Sequence, residues 1–225
     1  MPPEVHLVTD HHALEELRGV VVILDIFRAG HTILALLGAG AGAVIPLADL
    51  DQARELKLQN PGWLLLGERG GVPPAGFDGD NSPAWAASQE LSGRTAILTT
   101  SAGTQAVHRL AAAEHVLFGS FAGAGALVTA VQRLAPRQVH LLPMGEAAKA
   151  PAFEDDAAAA YLAAALTGAP PEFQLLRPLL LDCPGAARLK RLGQDADLAF
   201  CTTLNSHNLV PRVDYRATPP RVRTL

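Results

Sequence analysis

The sequence predicts an α/β fold: a layered, mainly parallel sheet flanked by helices, with a smaller helical C-terminal part. Three observations predict it. Short β-branched or Leu-rich runs alternate with longer Ala- and Leu-rich segments along most of the chain. Most of those runs are apolar throughout rather than alternating, as strands covered on both faces are. The 225 residues, 49% hydrophobic and 18% charged, suffice for a full core without disulfides or a structural metal.

The strand candidates are residues 5–8, 20–24, 43–47, 63–66, 95–98, 115–118 and 138–142. Helices are expected over 33–37, 50–59, 83–91, 105–112, 124–134 and 155–166. Ser82 followed by Pro83 reads as an N-cap with proline at the first helical position. Asp49 and Asp51 suit the positive end of the 50–59 helix. The Pro-rich stretch 168–178 marks a composition shift, so residues 1–167 are read as the α/β core. Residues 168–225 form an extension packed on that core, helical over 182–201 and irregular in the Pro/Arg-rich tail 210–225.

A net charge of −4 provides no broad attraction for nucleic acid or anionic lipid. Two distant cysteines, Cys183 and Cys201, make neither a disulfide scaffold nor a zinc knuckle. The N-terminus lacks a basic n-region and an apolar h-region, so a cytoplasmic location is expected. The uncharged stretch 29–48 is broken by Gly38, Gly40, Gly42 and Pro46, which makes it a helix and a buried strand rather than a membrane span. An apolar sheet clad in Ala-rich helices makes a homodimer an expectation.

In an open α/β sheet, ligands gather beyond the carboxyl ends of the strands. Here those ends are unusually polar. Asp25 and Arg28 follow the second run, Glu68 and Arg69 the fourth, and Thr99, Thr100, Ser101, Gly103 and Thr104 the fifth. Ser120 follows the sixth, and Glu154 and Asp155 follow the seventh. The Thr99–Thr104 turn feeds a helix and suits a phosphate or carboxylate; its plainer reading is a cap and a tight turn. Arg28 and Arg69 can grip phosphate bidentately or serve as ordinary ion-pair partners. Asp25, Glu68, Glu154 and Asp155 are carboxylate candidates for a divalent cation such as Mg²⁺, which takes one or two carboxylates plus water and phosphate oxygens. Asp25 closes an apolar strand, where an unpaired carboxylate is costly, so it pairs with Arg28 or holds metal. Gly38–Gly42 stands in the wrong order for a dinucleotide fingerprint, and there is no P-loop lysine, G-x-S-x-G elbow or H-E-x-x-H.

Taken together, the strand-end motifs resemble those of the 2-phosphosulfolactate phosphatase family, a Mg²⁺-dependent group linked to coenzyme M biosynthesis. The matching pieces are VVILDIFRAGHT, GERGG, FDGDNSP, LTTSAGTQAV, GSF, FEDDAAAAYLAAAL and RLKRLGQDADLAFCTTLNSHNLVP, in the family's order from about residue 20 to 211. The resemblance implies an α/β phosphoric-monoester hydrolase acting on a small-molecule phosphate ester with Mg²⁺. It adds Asp78, Asn81 and Ser82 to the candidate substrate-binding residues. Ala102 and Gly123 stand where the family usually carries asparagines, His31 lies in its A-T-S-T segment, and Pro143-Met144-Gly145 replaces its C-A-G. Each lost polar partner costs a substrate oxygen about 1–3 kcal/mol. The expected activity is therefore Mg²⁺-assisted phosphate-ester hydrolysis, with the substrate open and a non-catalytic binder of an anionic metabolite as the alternative. Position 27 is Phe27, so the D-x-D-x-T pattern of phospho-aspartyl enzymes is missing and direct attack by water is favoured.

Overall fold

A computed structural model describes residues 3–146 and 150–225. Its strands are β1 (Glu4–Leu7), β2 (Val20–Leu24), β3 (Ala43–Leu47), β4 (Leu64–Gly67), β5 (Thr95–Thr99), β6 (His115–Gly119), β7 (Gln138–Pro143), β8 (Pro211–Asp214) and β9 (Arg221–Thr224). Among the described residues they form one sheet in the order β1-β7-β2-β6-β8-β9-β3-β5-β4. The pairings within β1-β7-β2-β6 and within β3-β5-β4 are parallel. The β8–β9 hairpin joins these two blocks through antiparallel pairings on both sides. Three successive reversals leave the two blocks running in opposite directions.

The helices are α1 (Ala29–Gly38), α2 (Leu50–Gln59), α3 (Pro83–Ala87), α4 (Gly103–Ala106), α5 (Ala124–Leu134), α6 (Phe153–Leu166), α7 (Phe173–Asp182), α8 (Pro184–Arg191) and α9 (Asp195–Cys201). α1 is apolar all round and correspondingly buried from Ala29 to Leu37. It packs on α3, β6, β3, β8 and β9, with the strands of both blocks around it. Val21, Ile23, Val116 and Phe118 of one block share a single core with Val44, Leu66, Ala96 and Leu98 of the other. The outer face of the β2 block packs Val20, Val22, Leu24, Val139 and Leu141 against α5 to α9. The outer face of the β3 block packs Ile45, Leu47, Leu65 and Ile97 against Ala53 of α2. β2, β3 and β5 are therefore covered on both sides, which is why their sequences do not alternate.

Three sequence expectations are corrected here. The tail is not irregular: Pro211–Asp214 and Arg221–Thr224 pair with each other and sit in the middle of the sheet. Val213 and Val222 point into the shared core while their neighbours are half-buried or exposed, a short alternation that Pro and Arg hide. The helical part of the extension begins before Asp182, with α7 spanning Phe173–Asp182 through Pro178. The helices expected over 83–91 and 105–112 stop early, as α3 at Ala87 and as α4 at Ala106 with a 3₁₀ turn over Val107–Arg109. No helix among the described residues is long and apolar enough to cross a membrane.

Candidate active site

The ends of β2 and β5 meet where the two blocks converge: the Gly103 N–H donates to Asp25 Oδ2 at 2.7 Å and the Ala29 N–H to Oδ1 at 3.2 Å. Gly103 has to be glycine here, since a Cβ would stand 2.7 Å from Asp25 Oδ2. Asp155, in the first turn of α6, is anchored in the same way. Its Oδ1 accepts from the Ile26 N–H at 2.7 Å and its Oδ2 from the Gly145 N–H at 2.8 Å. Two aspartates, 7% and 3% exposed, thus clip β2 to β5 and to the segment before α6 through backbone donors alone.

Around them opens a cavity of about 280 Å³, the size for a small metabolite. Asp25, Glu68, Glu146, Glu154 and Asp155 contribute carboxylates to its lining; Arg28 and Arg188 contribute cations, with Asn81, Thr100 and Ser101 between them. Burial, with smaller help from the charges of Glu68 and Glu154, pushes the Asp25 carboxyl up to about 6 against the Gly103 and Ala29 donors. Burial first and the Asp25 charge second hold Asp155 well above the ordinary carboxylate range. Burial likewise raises Glu154, whose Oε2 accepts from the Cys183 thiol at 3.5 Å. Concentrated, half-desolvated negative charge of this kind is what a divalent cation relieves.

The other sequence-derived candidates divide into two groups. Glu68 borders the cavity and ties its rims together, accepting from the Gly71 N–H at 2.8 Å and the Ser101 N–H at 2.9 Å. Thr100 and Thr104 bond each other within the β5–α4 turn, which holds its shape. Arg28 is 2% exposed and clamped: Nη1 donates to Asp197 at 2.5 Å and to Asp80 at 3.1 Å, and Nη2 donates to the Gly71 carbonyl at 3.2 Å. Arg69, Thr99, Gly103, Thr104, Asp78, Ser82 and Ser120 lie outside the cavity lining. Arg69 donates to Thr99 Oγ1 and to the Ala48 carbonyl, bracing the ends of β3, β4 and β5. Asp78 accepts from the Leu65 N–H and from Lys57, which outweigh burial and hold its carboxyl low. Ser82 caps α3 and donates to Asp197; the Ser120 hydroxyl accepts from the Gly123 N–H.

Sequence reasoning missed Asp80, Asp197 and Arg188. Asp197 and Arg188 belong to the C-terminal helices, and Asp197 lies 169 positions from Arg28 along the chain. Nothing local signals such a pairing. The only available hint was that both fall in the RLKRLGQDADLAFC block.

His31 is the other buried titratable group of this region. Its Nδ1 donates to the Ile26 carbonyl at 3.0 Å, and burial lowers its pKa to about 4, so the ring is neutral. Asp25 and His31 act oppositely on stability. A carboxyl raised above its unfolded value binds more protons when folded, so its contribution falls as pH rises from about 4 through 6. A histidine lowered on folding contributes more as pH rises over about the same range. Comparing the protein with Asp25→Asn isolates the aspartate. In cation-free buffer the stability of the variant relative to the parent is expected to rise between about pH 4 and 6, by up to about 3 kcal/mol. Chemical denaturation at several pH values reads it, and a difference independent of pH would show that Asp25 ionises normally.

Among the described residues, no three His, Cys, Asp or Glu side chains cluster closely enough to hold a metal on protein ligands alone. Mg²⁺ commonly requires only one or two carboxylates, with water and phosphate oxygens for the rest, and the Asp25–Asp155 pair meets that requirement.

The profile of the 2-phosphosulpholactate phosphatase family matches residues 6–216. A Carboxydothermus hydrogenoformans protein named "Probable 2-phosphosulfolactate phosphatase" is 34% identical over 205 residues, covering 85% of this chain and 84% of its own. A Thermus thermophilus protein of the same name is 34% identical over 208 residues, covering 85% and 86%. One from Thermoplasma acidophilum is 38% identical over 122 residues, 54% of each chain, so that alignment spans about half of either protein. A match over nearly the whole chain, with the strand-end motifs gathered round one acidic cavity, places this chain in the 2-phosphosulpholactate phosphatase family of phosphoric-monoester hydrolases.

Proposed function

We propose that this protein hydrolyses a small, polyanionic phosphate monoester with the help of Mg²⁺, and that 2-phosphosulfolactate, named in its relatives, is the substrate. The observation that carries the proposal is the pair of buried aspartates, Asp25 and Asp155, held by backbone donors at the floor of one small polar cavity.

Asp25 and Asp155 are the residues to hold Mg²⁺, because each raises the cost of ionising the other and a divalent cation removes that cost. When bound, the ion supplies charge neutralisation on the phosphoryl oxygens and a more acidic water. The protein's own groups do the rest. Gly103 and Ala29 fix the Asp25 carboxylate, so its remaining lone pairs face the cavity without reorganisation. Glu68, bonded to both Gly71 and Ser101, sets the spacing between the two rims that enclose the phosphoryl group. Arg28, its charge balanced by Asp197 and Asp80, fixes the cavity wall that Gly71 belongs to. Glu154 lines the cavity, and burial raises the proton affinity of its carboxylate, which suits it to take the proton of the attacking water and return it to the leaving oxygen. Water oxygen bonds to phosphorus as the phosphorus–oxygen ester bond breaks, leaving inorganic phosphate and the alcohol.

Phosphate release from 2-phosphosulfolactate and from an aryl phosphate, each with Mg²⁺ and with a chelator, tests the proposal. Chelator-sensitive release from 2-phosphosulfolactate, well above that from the aryl ester, is expected. Release from the aryl ester alone discards the substrate, and binding of 2-phosphosulfolactate without turnover makes the protein a binder. Mg²⁺ is also expected to raise Tm at about pH 7.5 and to do so much less at about pH 5, where protons occupy the two aspartates. An equal rise at both values would place the ion elsewhere.

A further inference from the structure

Two residues that line the cavity each have one buried side-chain atom without a hydrogen-bond partner among the described residues: Nε of Arg188 and Oδ1 of Asn81. A buried N–H left unpaired costs about 1–3 kcal/mol, and such groups in native structures commonly await a ligand. Arg188 differs from the other cavity cation. The Arg28 Nη atoms are occupied by Asp197, Asp80 and Gly71, whereas no carboxylate among the described residues lies within ion-pair distance of Arg188.

The obvious partner, Glu154, is committed elsewhere. Its Oε2 takes the Cys183 thiol, and its carboxylate presses so closely on the first turn of α8 that a Cβ at Gly185 would stand 2.3 Å from Oε1. Arg188 follows one turn later on the same helix, near enough for its charge to lower the Glu154 pKa but not paired with it. α8 packs on α6, α7 and α9. Its guanidinium therefore enters from the helical layer, on a different wall from the β5–α4 turn and the ends of β2 and β5, where the phosphoryl group is placed above.

We infer that Arg188 is a specificity-determining residue: it binds a second anionic group of the substrate, a carboxylate or sulfonate on the carbon skeleton, rather than the phosphoryl group. The inference rests on the phosphatase reading. It deepens that reading by requiring a substrate with an acid group beyond its phosphate. A guanidinium suits either oxyanion through paired N–H donors.

Two measurements on Arg188→Gln and Arg188→Lys test it. In kinetics, KM for 2-phosphosulfolactate is expected to rise about 10–100-fold in Arg188→Gln with kcat changed little, as for a charge-assisted hydrogen bond made equally in ground and transition states. The preference for 2-phosphosulfolactate over an aryl phosphate, as a ratio of kcat/KM values, falls by the same factor, and the lysine variant recovers part of it. In calorimetry, sulfolactate, which carries both acid groups and no phosphate, is expected to bind the parent protein and to lose about 10-fold or more in affinity in Arg188→Gln, while inorganic phosphate binding holds. Equal losses for sulfolactate and phosphate would put Arg188 at the phosphoryl group and overturn the inference. So would sulfolactate affinity that is absent in the parent or unchanged in the variant. If no ester is turned over at all, the phosphatase reading fails, and the sulfolactate titration still decides the role of Arg188. Thermal melts of both variants guard against a folding defect.

Discussion

Asp25→Asn is expected to lower kcat for phosphate release by about 10²–10⁴-fold while the chain stays folded. Two effects on stability oppose each other. The amide still accepts from Gly103 but turns an N–H₂ toward the Ala29 N–H, and that lost acceptor costs about 1–3 kcal/mol. Removing a buried charge, held up to about 6 mainly by desolvation, returns a similar amount at neutral pH. Activity and stability therefore separate at this position, which is the signature of a group retained for chemistry rather than for the fold. Steady-state phosphate release alongside a thermal melt measures both. Retention of full activity would remove Asp25 from cation binding and from the reaction.

Asp197→Ala is expected to do the opposite, through the fold. Asp197 takes Nη1 of the buried Arg28 on one oxygen, and the Ser82 hydroxyl and the Ala84 N–H on the other. Its loss leaves an arginine, 2% exposed, with only the partly exposed Asp80 opposite it. Breaking one partner of a buried pair costs about 3–5 kcal/mol. At this chain length each kcal/mol is worth about 2–4 °C, so Tm falls by about 6–20 °C. Because Arg28 also borders the cavity, kcat/KM falls even below the melting range. A Tm within a degree or two of the parent would mean that Arg28 finds water or another acceptor, and that α9 is not what holds it.

These two residues show how differently site chemistry is written in a sequence. Asp25 was legible because burial and polarity conflict locally: an acid closing five apolar residues demands a reason. Glu68, Glu154, Asp155, Thr100 and Ser101, which line the cavity, were legible from their place after strand ends, a consequence of α/β topology. Arg69 and Ser120 satisfied the same positional rule, and Asp78 and Ser82 entered through the family resemblance, yet their side chains brace strand ends or cap helices outside the cavity. Position after a strand brings a residue to the right edge of the sheet; the rotamer and the nearest competing acceptor decide which way it faces.

Local chemistry determined much of the frame. β2, β3, α2 and α5 have the bounds read from pattern alone, because continuous apolar runs, the Asp49 cap and amphipathic spacing act within one turn or one strand. What the amino-acid order left undecided is everything that depends on meeting across distance. The β8–β9 hairpin carries only four residues a strand, with Pro and Arg among them, and is a strand pair only because β6 and β3 offer their edges. That insertion turns two parallel blocks against each other and brings the end of β2 to the end of β5. The clamp on Arg28 and the place of Arg188 in the cavity wall follow from where α8 and α9 then pack. Backbone preference is a short-range property, whereas the partner of a buried charge is chosen by the whole chain's packing.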